Sequence, residues 1–438
     1  LIPKRFLLGK KLSNENLEGQ LLPKFIALPV FSSDPLSSVA YGPQELLMIL
    51  TLGGTAMLAF APGIAAVVVL LLTVILLSYR KIIQAYPGGG GDYEVAKKNL
   101  GDRAALIVAA ALLLDYVMTV AVSVASGTDN LISAFPELAP WRVEIAVGFV
   151  LLLCAINLRG VKESGVAFAV PTYVFLASVL VMIAVGVFRL FMGHELVAPS
   201  AHYMVNIENQ LGNVGSIAFI MLLLRAFASG CSALTGIEAI ANGVPAFREP
   251  KIKNAQKTML WMGSAAIVMF IGVTVLALAS NVHYAEDPAA QLVGWTSANG
   301  PQQSAMAQIA VAVFGNSSFM FYLIQAGTAA VLLLAANTAF NGFPLLATVL
   351  SKDGYAPKAL QTRGDRLVYS NGMLSLTLAA VTLELVYQAD VSALIQLYVL
   401  GVFTSFTVGQ IGMLRHWARG RRDGSIPKGE ANKGTFIN

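Results

Sequence analysis

Three carboxylates stand in stretches that are otherwise too apolar to hold them: Asp34 in VFSSDPLSSVAYG, Asp115 in LLDYVMTVAVSVASG and Glu238 in FASGCSALTGIEAIANG. An ionised side chain at mid-bilayer depth is costly and needs a partner. Only one basic residue, Arg225, lies inside an apolar stretch to offset them. Its expected role is to pair with an acidic or carbonyl group near an outer gate; anion binding is the alternative. Three carboxylates against one guanidinium leave an excess of negative charge, which protons or a bound cation must meet. A proton and a metal ion compete for a buried carboxylate, and that competition couples the movement of one to the movement of the other.

Hydroxyl groups accompany the acids at helical spacing. Asp34, Ser38, Tyr41 and Glu45 would share one helix face, as would Asp115, Thr119, Ser123 and Ser126, with Tyr116 beside them. Ser232, Thr235, Glu238 and Asn242 repeat the device, and LYVLGVFTSFT adds Tyr398 and Ser405. Every one of these donors is a hard oxygen except the Asn242 amide nitrogen, and hard oxygens suit alkali and alkaline-earth cations without by themselves choosing K⁺ over Na⁺. Isolated Ser and Thr in such helices ordinarily hydrogen-bond neighbouring helices, worth about 0.6 kcal/mol each.

The elements that must position these groups are transmembrane helices. The chain has 438 residues, 56% hydrophobic and 12% charged, where soluble domains carry about 25% charged residues. Apolar runs of membrane-spanning length predict ten spans, centred near residues 35, 69, 119, 150, 178, 229, 269, 327, 379 and 403. Lys and Arg cluster before the first span, at 80–103, at Arg159 and Lys162, at 248–257, at 352–366 and in the tail, whereas 192–214 and 282–305 contain none. The positive-inside rule then places both visible ends in the cytoplasm of a plasma-membrane protein. Ten spans fall into two halves of five, 21–191 and 215–415, flanked by a cytoplasmic segment 1–20 and a cytoplasmic segment 416–438. An odd number per half inverts the second relative to the first. In inverted-repeat transporters the first helix of each half is interrupted and the substrate sits between the breaks. Asp34-Pro35 and Gly230-Cys231 are the expected interruptions, since proline removes a helical hydrogen bond and small polar residues weaken a helix.

Several other classes of function find no support. The net charge of +5 is divided among membrane edges, so a nucleic-acid surface is not expected. Cys154 and Cys231 lie in apolar spans and imply no disulfide framework, and the four histidines lack metal-ligand spacing. PGGGGDYEVAKKNLG, 87–101, lacks the Gly-Lys-Ser/Thr ending of a phosphate loop. It reads as a tight turn leading to a short interfacial helix, with Lys97 and Lys98 at the headgroups. No cofactor and no enzymatic activity are expected.

The stretches SSDPLSSVAYGPQE, PGGGGDYEVA, LLDYVMTVAVSVASG, FASGCSALTGIEAIANGVPAF and LYVLGVFTSFT together resemble the KimA-like potassium importers, a branch of the APC superfamily related to the KUP transporters. The resemblance implies an all-α, LeuT-like fold with a five-plus-five inverted repeat, broken helices 1 and 6, and two further helices. It also implies import of K⁺ with H⁺. By resemblance the cation-site residues fall on Asp34, Tyr41, Asp115, Tyr116, Thr119, Thr235, Glu238 and Tyr398, with Asp34, Asp115, Thr235 and Glu238 as K⁺ ligands. Glu238 or Asp115 would carry the proton. The chain shows neither the further helices nor a carboxy-terminal domain, so a homodimer would form through segments beyond this sequence. The alternative is a proton-coupled amino-acid or polyamine permease. Permeases with this fold usually bind a substrate carboxylate at a glycine-rich break in span one, and Asp34 stands where it would lie and would repel it.

Overall fold

The computed structural model describes residues 21–159, 165–205, 216–361 and 369–438. The predicted segment 1–20, with Lys4, Arg5, Lys10 and Lys11, and the cations Lys162, Arg363 and Arg366 lie outside the described residues. Among the described residues eight helices are long and apolar enough to cross a membrane. The two predicted spans missing from the eight have identifiable causes. The first is divided into α1 (Lys24–Ser37) and α2 (Gly42–Thr51), and the one near 379 is a helix of only 17 residues, Ser370–Val386.

The division of the first span follows from local chemistry. Pro35 supplies no amide hydrogen, and the chain tightens into a 3-10 turn over Ser38–Ala40. Ser37 and Ser38 donate their hydroxyls to the carbonyls of Asp34 and Pro35, each at 3.0 Å, so the side chains compete with the helical ladder. The predicted single face through Asp34, Ser38, Tyr41 and Glu45 is therefore interrupted, and Glu45 follows Tyr41 by one turn on the far side of the break from Asp34.

The remaining elements in chain order are α3 (Ala61–Ala85), α4 (Gly91–Leu100), α5 (Asp102–Ala134), α6 (Arg142–Leu158), α7 (Gly165–Phe191), α8 (Ile217–Gly230), α9 (Glu238–Asn242), α10 (Lys251–Ala279), α11 (Ala305–Phe314), α12 (Phe319–Lys352), α13 (Ser370–Val386), α14 (Val391–Arg422) and α15 (Lys428–Ile437). The long α5 packs along α12 and α14, while α2 lies against α8, and α1 is held by α7, α10 and α12. At the end opposite α4, β1 (Met204–Val205) pairs antiparallel with β2 (Leu292–Val293). The loop expected over 282–305 leads into α11, whose residues Ala305 to Ala310 are all buried. The expected boundary at 415/416 falls inside α14, which continues to Arg422, and α15 folds back on α3 and α14.

The helix expected to lie at the interface, α4, instead packs inward with Asp92, Tyr93, Val95, Ala96 and Asn99 buried. Its outer edge is tied to the end of α12 by Asp353, which accepts from Lys97 Nζ at 2.6 Å and Tyr93 Oη at 2.9 Å. The Lys97 hydrogen bond holds the Asp353 carboxyl below its ordinary value of 3.8. Its stabilisation is therefore present in full above that value and is lost as pH falls through the lowered one. Because the pair is largely solvated, Lys97→Gln is expected to cost less than about 1 kcal/mol, read as a small fall in thermal stability at neutral pH.

Candidate cation site

The second interruption faces the first. α8 ends at Gly230, a 3-10 turn covers Cys231–Leu234, Thr235 is extended at ψ 151°, and α9 begins at Glu238. Gly236 links them at φ 76°, a conformation that side-chain-bearing residues rarely adopt. A Cβ on Gly236 would lie 2.5 Å from Asp34 Oδ2, so the backbone of one break touches the carboxylate of the other. Gly42 makes a matching approach to Ala233, and Ser38 Oγ donates to the Ala233 carbonyl at 3.4 Å.

Asp34, Asp115 and Glu238 stand around the two breaks, each less than a tenth exposed, although among the described residues no three acids lie close enough to hold a metal ion jointly. The carboxyl groups of Asp115 and Glu238 lie within hydrogen-bonding range of each other, and the Asp34 charge acts on both. Two carboxylates can share such a contact only through a proton or a cation. Among the described residues no ion pair involves any of the three. Asp34 Oδ1, Asp115 Oδ1 and Glu238 Oε2 have no hydrogen-bond partner, nor do the hydroxyls of Ser32, Ser33, Ser123 and Ser232. Buried polar atoms are rarely left unmatched, and a concentration of them at two helix breaks fits a hard cation.

The hydroxyl groups complete the wall. Tyr41 Oη lies 3.5 Å from Thr235 Oγ1, and Thr119 Oγ1 lies 2.9 Å from Tyr398 Oη, linking α5 to α14. The eight predicted residues lie around the two breaks, linked by these hydrogen bonds or by charges that act on one another. Tyr116 is within reach of the charges of Glu238, Asp115 and Asp34, with its ring resting against Gly342 of α12. Ser405 leaves the group, donating instead to Asp92 Oδ2 at 3.3 Å. Among the described residues no ion pair involves Arg225. It is exposed on α8 on the same face as Ile217, Met221 and Leu224, so the expected gate contact is not formed. The spacing of four residues from Ile217 to Met221 to Arg225 already marks that outward face.

Next to this site sequence reasoning missed one buried acid, Asp92. It opens α4 beneath the site, accepts from Tyr79 Oη at 2.5 Å, and lies within electrostatic reach of Glu238. The available signal was an aspartate directly after four glycines, in a helix otherwise read as interfacial.

Helices broken face to face around buried acids, in a bundle with eight helices long and apolar enough to cross a membrane among the described residues, define a multi-pass membrane protein of the broken-helix class. The chain belongs to the amino acid permease family, whose model matches residues 35–431. The potassium transporter KimA of Bacillus subtilis is 43% identical over 425 residues, covering 97% of this chain and 66% of that protein. This chain thus spans just under two thirds of that relative's length. The low-affinity putrescine importer PlaP of Escherichia coli is 28% identical over 116 residues, 26% of this chain and 25% of PlaP. The probable potassium transport system protein Kup 3 of Sinorhizobium medicae is 30% identical over 174 residues, 40% of this chain and 26% of that protein.

Proposed function

We propose that this chain imports K⁺ together with H⁺ by alternating access, holding the cation between the two helix breaks and α5. The observation that carries the reading is the placement of Asp34, Asp115 and Glu238 around the two breaks without a cationic partner, each with an oxygen left unmatched. Asp34, Asp115, Thr235 and Glu238 supply the charge and ligands, and Tyr41, Thr119 and Tyr398 line the site. Tyr116 lines it beside the three acids, its ring packed on α12. Glu238 or Asp115 carries the proton.

The cations on the α4 side, Arg80, Lys81, Lys97, Lys98 and Arg103, support a cytoplasmic position for that end. The breaks at the start of 21–191 and 215–415 support an inverted repeat. Similarity to KimA across nearly the whole chain supports K⁺ as the substrate. Uptake by proteoliposomes offered a panel of cations, with and without a pH gradient, tests the proposal. Transport of a neutral amino acid in place of K⁺ would overturn it.

A second reading, import of a polyamine, is favoured by one observation: the partial match to a putrescine importer, in a site whose acids would pair with ammonium groups. Competition of putrescine with K⁺ in the same assay separates the two. Gly236→Ala gives a geometric test of the site. The added methyl meets Asp34 and the backbone is strained by about 1–3 kcal/mol, so cation affinity is expected to fall by about tenfold or more. An unchanged KM for K⁺ would place the cation elsewhere.

A further inference from the structure

At the end opposite α4, outer in the proposed orientation, lies a cavity of about 340 Å³ walled by Asp129, Arg142, Glu286, Asp287, Asp390 and Trp295. Arg142 is bonded to Asp129 and its charge also reaches Asp390, but among the described residues no ion pair involves Glu286, Asp287 or Asp390, so acids outnumber cations on the wall. Helix capping accounts for the position of two of them but not for their charge. Asp390 Oδ1 accepts from Ala393 N at 2.8 Å at the start of α14, and Asp287 Oδ1 accepts from Ala289 N at 3.1 Å at the start of a four-residue helix, Pro288–Gln291. Asparagine caps a helix as well as aspartate does. A second observation lies behind the wall. Glu384 is fully buried, neither of its carboxylate oxygens has a hydrogen-bond partner, and its charge acts on Asp129 and Arg142 at the cavity surface.

One polar contact runs inward from the cavity wall. Ser392 lines it and donates to Glu45 Oε1 at 2.8 Å, and Glu45 stands one helical turn beyond Tyr41, whose carbonyl accepts the Glu45 amide. Glu45 is the acid on the far side of the helix break from Asp34; its partner faces this cavity. Among the described residues no three acids lie close enough to hold a metal ion jointly. Dispersed carboxylates do not strip a hydration shell, but a concave acidic surface raises the local concentration of hydrated cations.

We propose that this cavity is an outer antechamber that gathers hydrated monovalent cations ahead of the site between the breaks, with Ser392 and Glu45 forming the polar step inward. The inward direction rests on the transport reading; the gathering of cations does not. Trp295 reports on the cavity directly through collisional quenching by caesium and by iodide, and subtracting the signal of Trp295→Phe isolates its contribution. A triple variant, Glu286→Gln with Asp287→Asn and Asp390→Asn, removes charge while keeping both caps. At low ionic strength the ratio of caesium to iodide quenching is expected to be at least about threefold lower in this variant, and the difference should close in about 0.5 M choline chloride. An equal ratio in the two proteins would overturn the antechamber. In proteoliposomes at low ionic strength the same variant should raise the KM for K⁺ by about 3- to 10-fold without changing the maximal rate. An unchanged KM would overturn the claim that the cavity feeds the site. If the unaltered chain takes up no K⁺ while the quenching bias persists, the antechamber stands and the transport reading falls.

Discussion

High-affinity K⁺ uptake is expected to fall by about 100-fold or more in Asp34→Asn and in Asp115→Asn, the equivalent of about 3 kcal/mol. Both substitutions preserve shape and hydrogen-bonding capacity and remove only charge. Asp34 sits against Gly236 at the junction of the two breaks, and Asp115 approaches it from α5 while facing Glu238. A cation held here is dehydrated, so its charge must be balanced by these groups and not by water. Thr119→Val and Thr235→Val remove one neutral oxygen among several and should weaken uptake less. Uptake kinetics over a range of low K⁺ concentrations provide the measurement, with monodispersity in detergent confirming that each variant is folded. Normal kinetics in either Asn variant would make that carboxylate structural.

Glu238→Gln is expected to separate cation movement from proton coupling. Glu238 opens α9, on the side of the break leading toward α4 and Asp92, and its carboxyl meets Asp115 at a contact that needs a proton or a cation between them. As the gates exchange, the same group can hold a proton in one state and face the cation in the other. An amide cannot alternate in this way. Exchange of K⁺ across liposomes should therefore survive in Glu238→Gln, while an imposed pH gradient no longer drives accumulation. Accumulation that still follows the pH gradient would move the proton to Asp115, the other member of the coupled pair.

The amino-acid sequence alone determined the membrane-spanning class, since a 12% charged chain with repeated apolar runs has no soluble alternative. It also identified both helix breaks, because Asp34-Pro35 and the Gly-Cys-Ser run are locally unfit for a continuous helix. The three acids of the candidate site were legible for the same reason: a carboxylate is conspicuous in an apolar stretch. The eight residues assigned to the site lie around the two breaks, and their role as ligands is the subject of the variants above.

What only the tertiary structure decided concerns direction and partnership. Helical spacing put Glu45 with Asp34 and Tyr41, but the turn at Ser38–Ala40 changes the winding and gives Glu45 to Ser392 at the outer cavity. Arg225 looked like the counter-charge because sequence shows that it lies in a span, not which way it points; on α8 it faces outward. Asp92 drew no attention because it follows four glycines at the start of a helix read as interfacial. The tertiary fold turns α4 inward and buries that carboxylate against Tyr79 and Ser405, contacts 13 and 313 residues away. Local chemistry fixes where a helix fails, because a missing amide hydrogen acts on its own turn. Which groups then meet across the bundle depends on packing between distant segments, which no local spacing encodes.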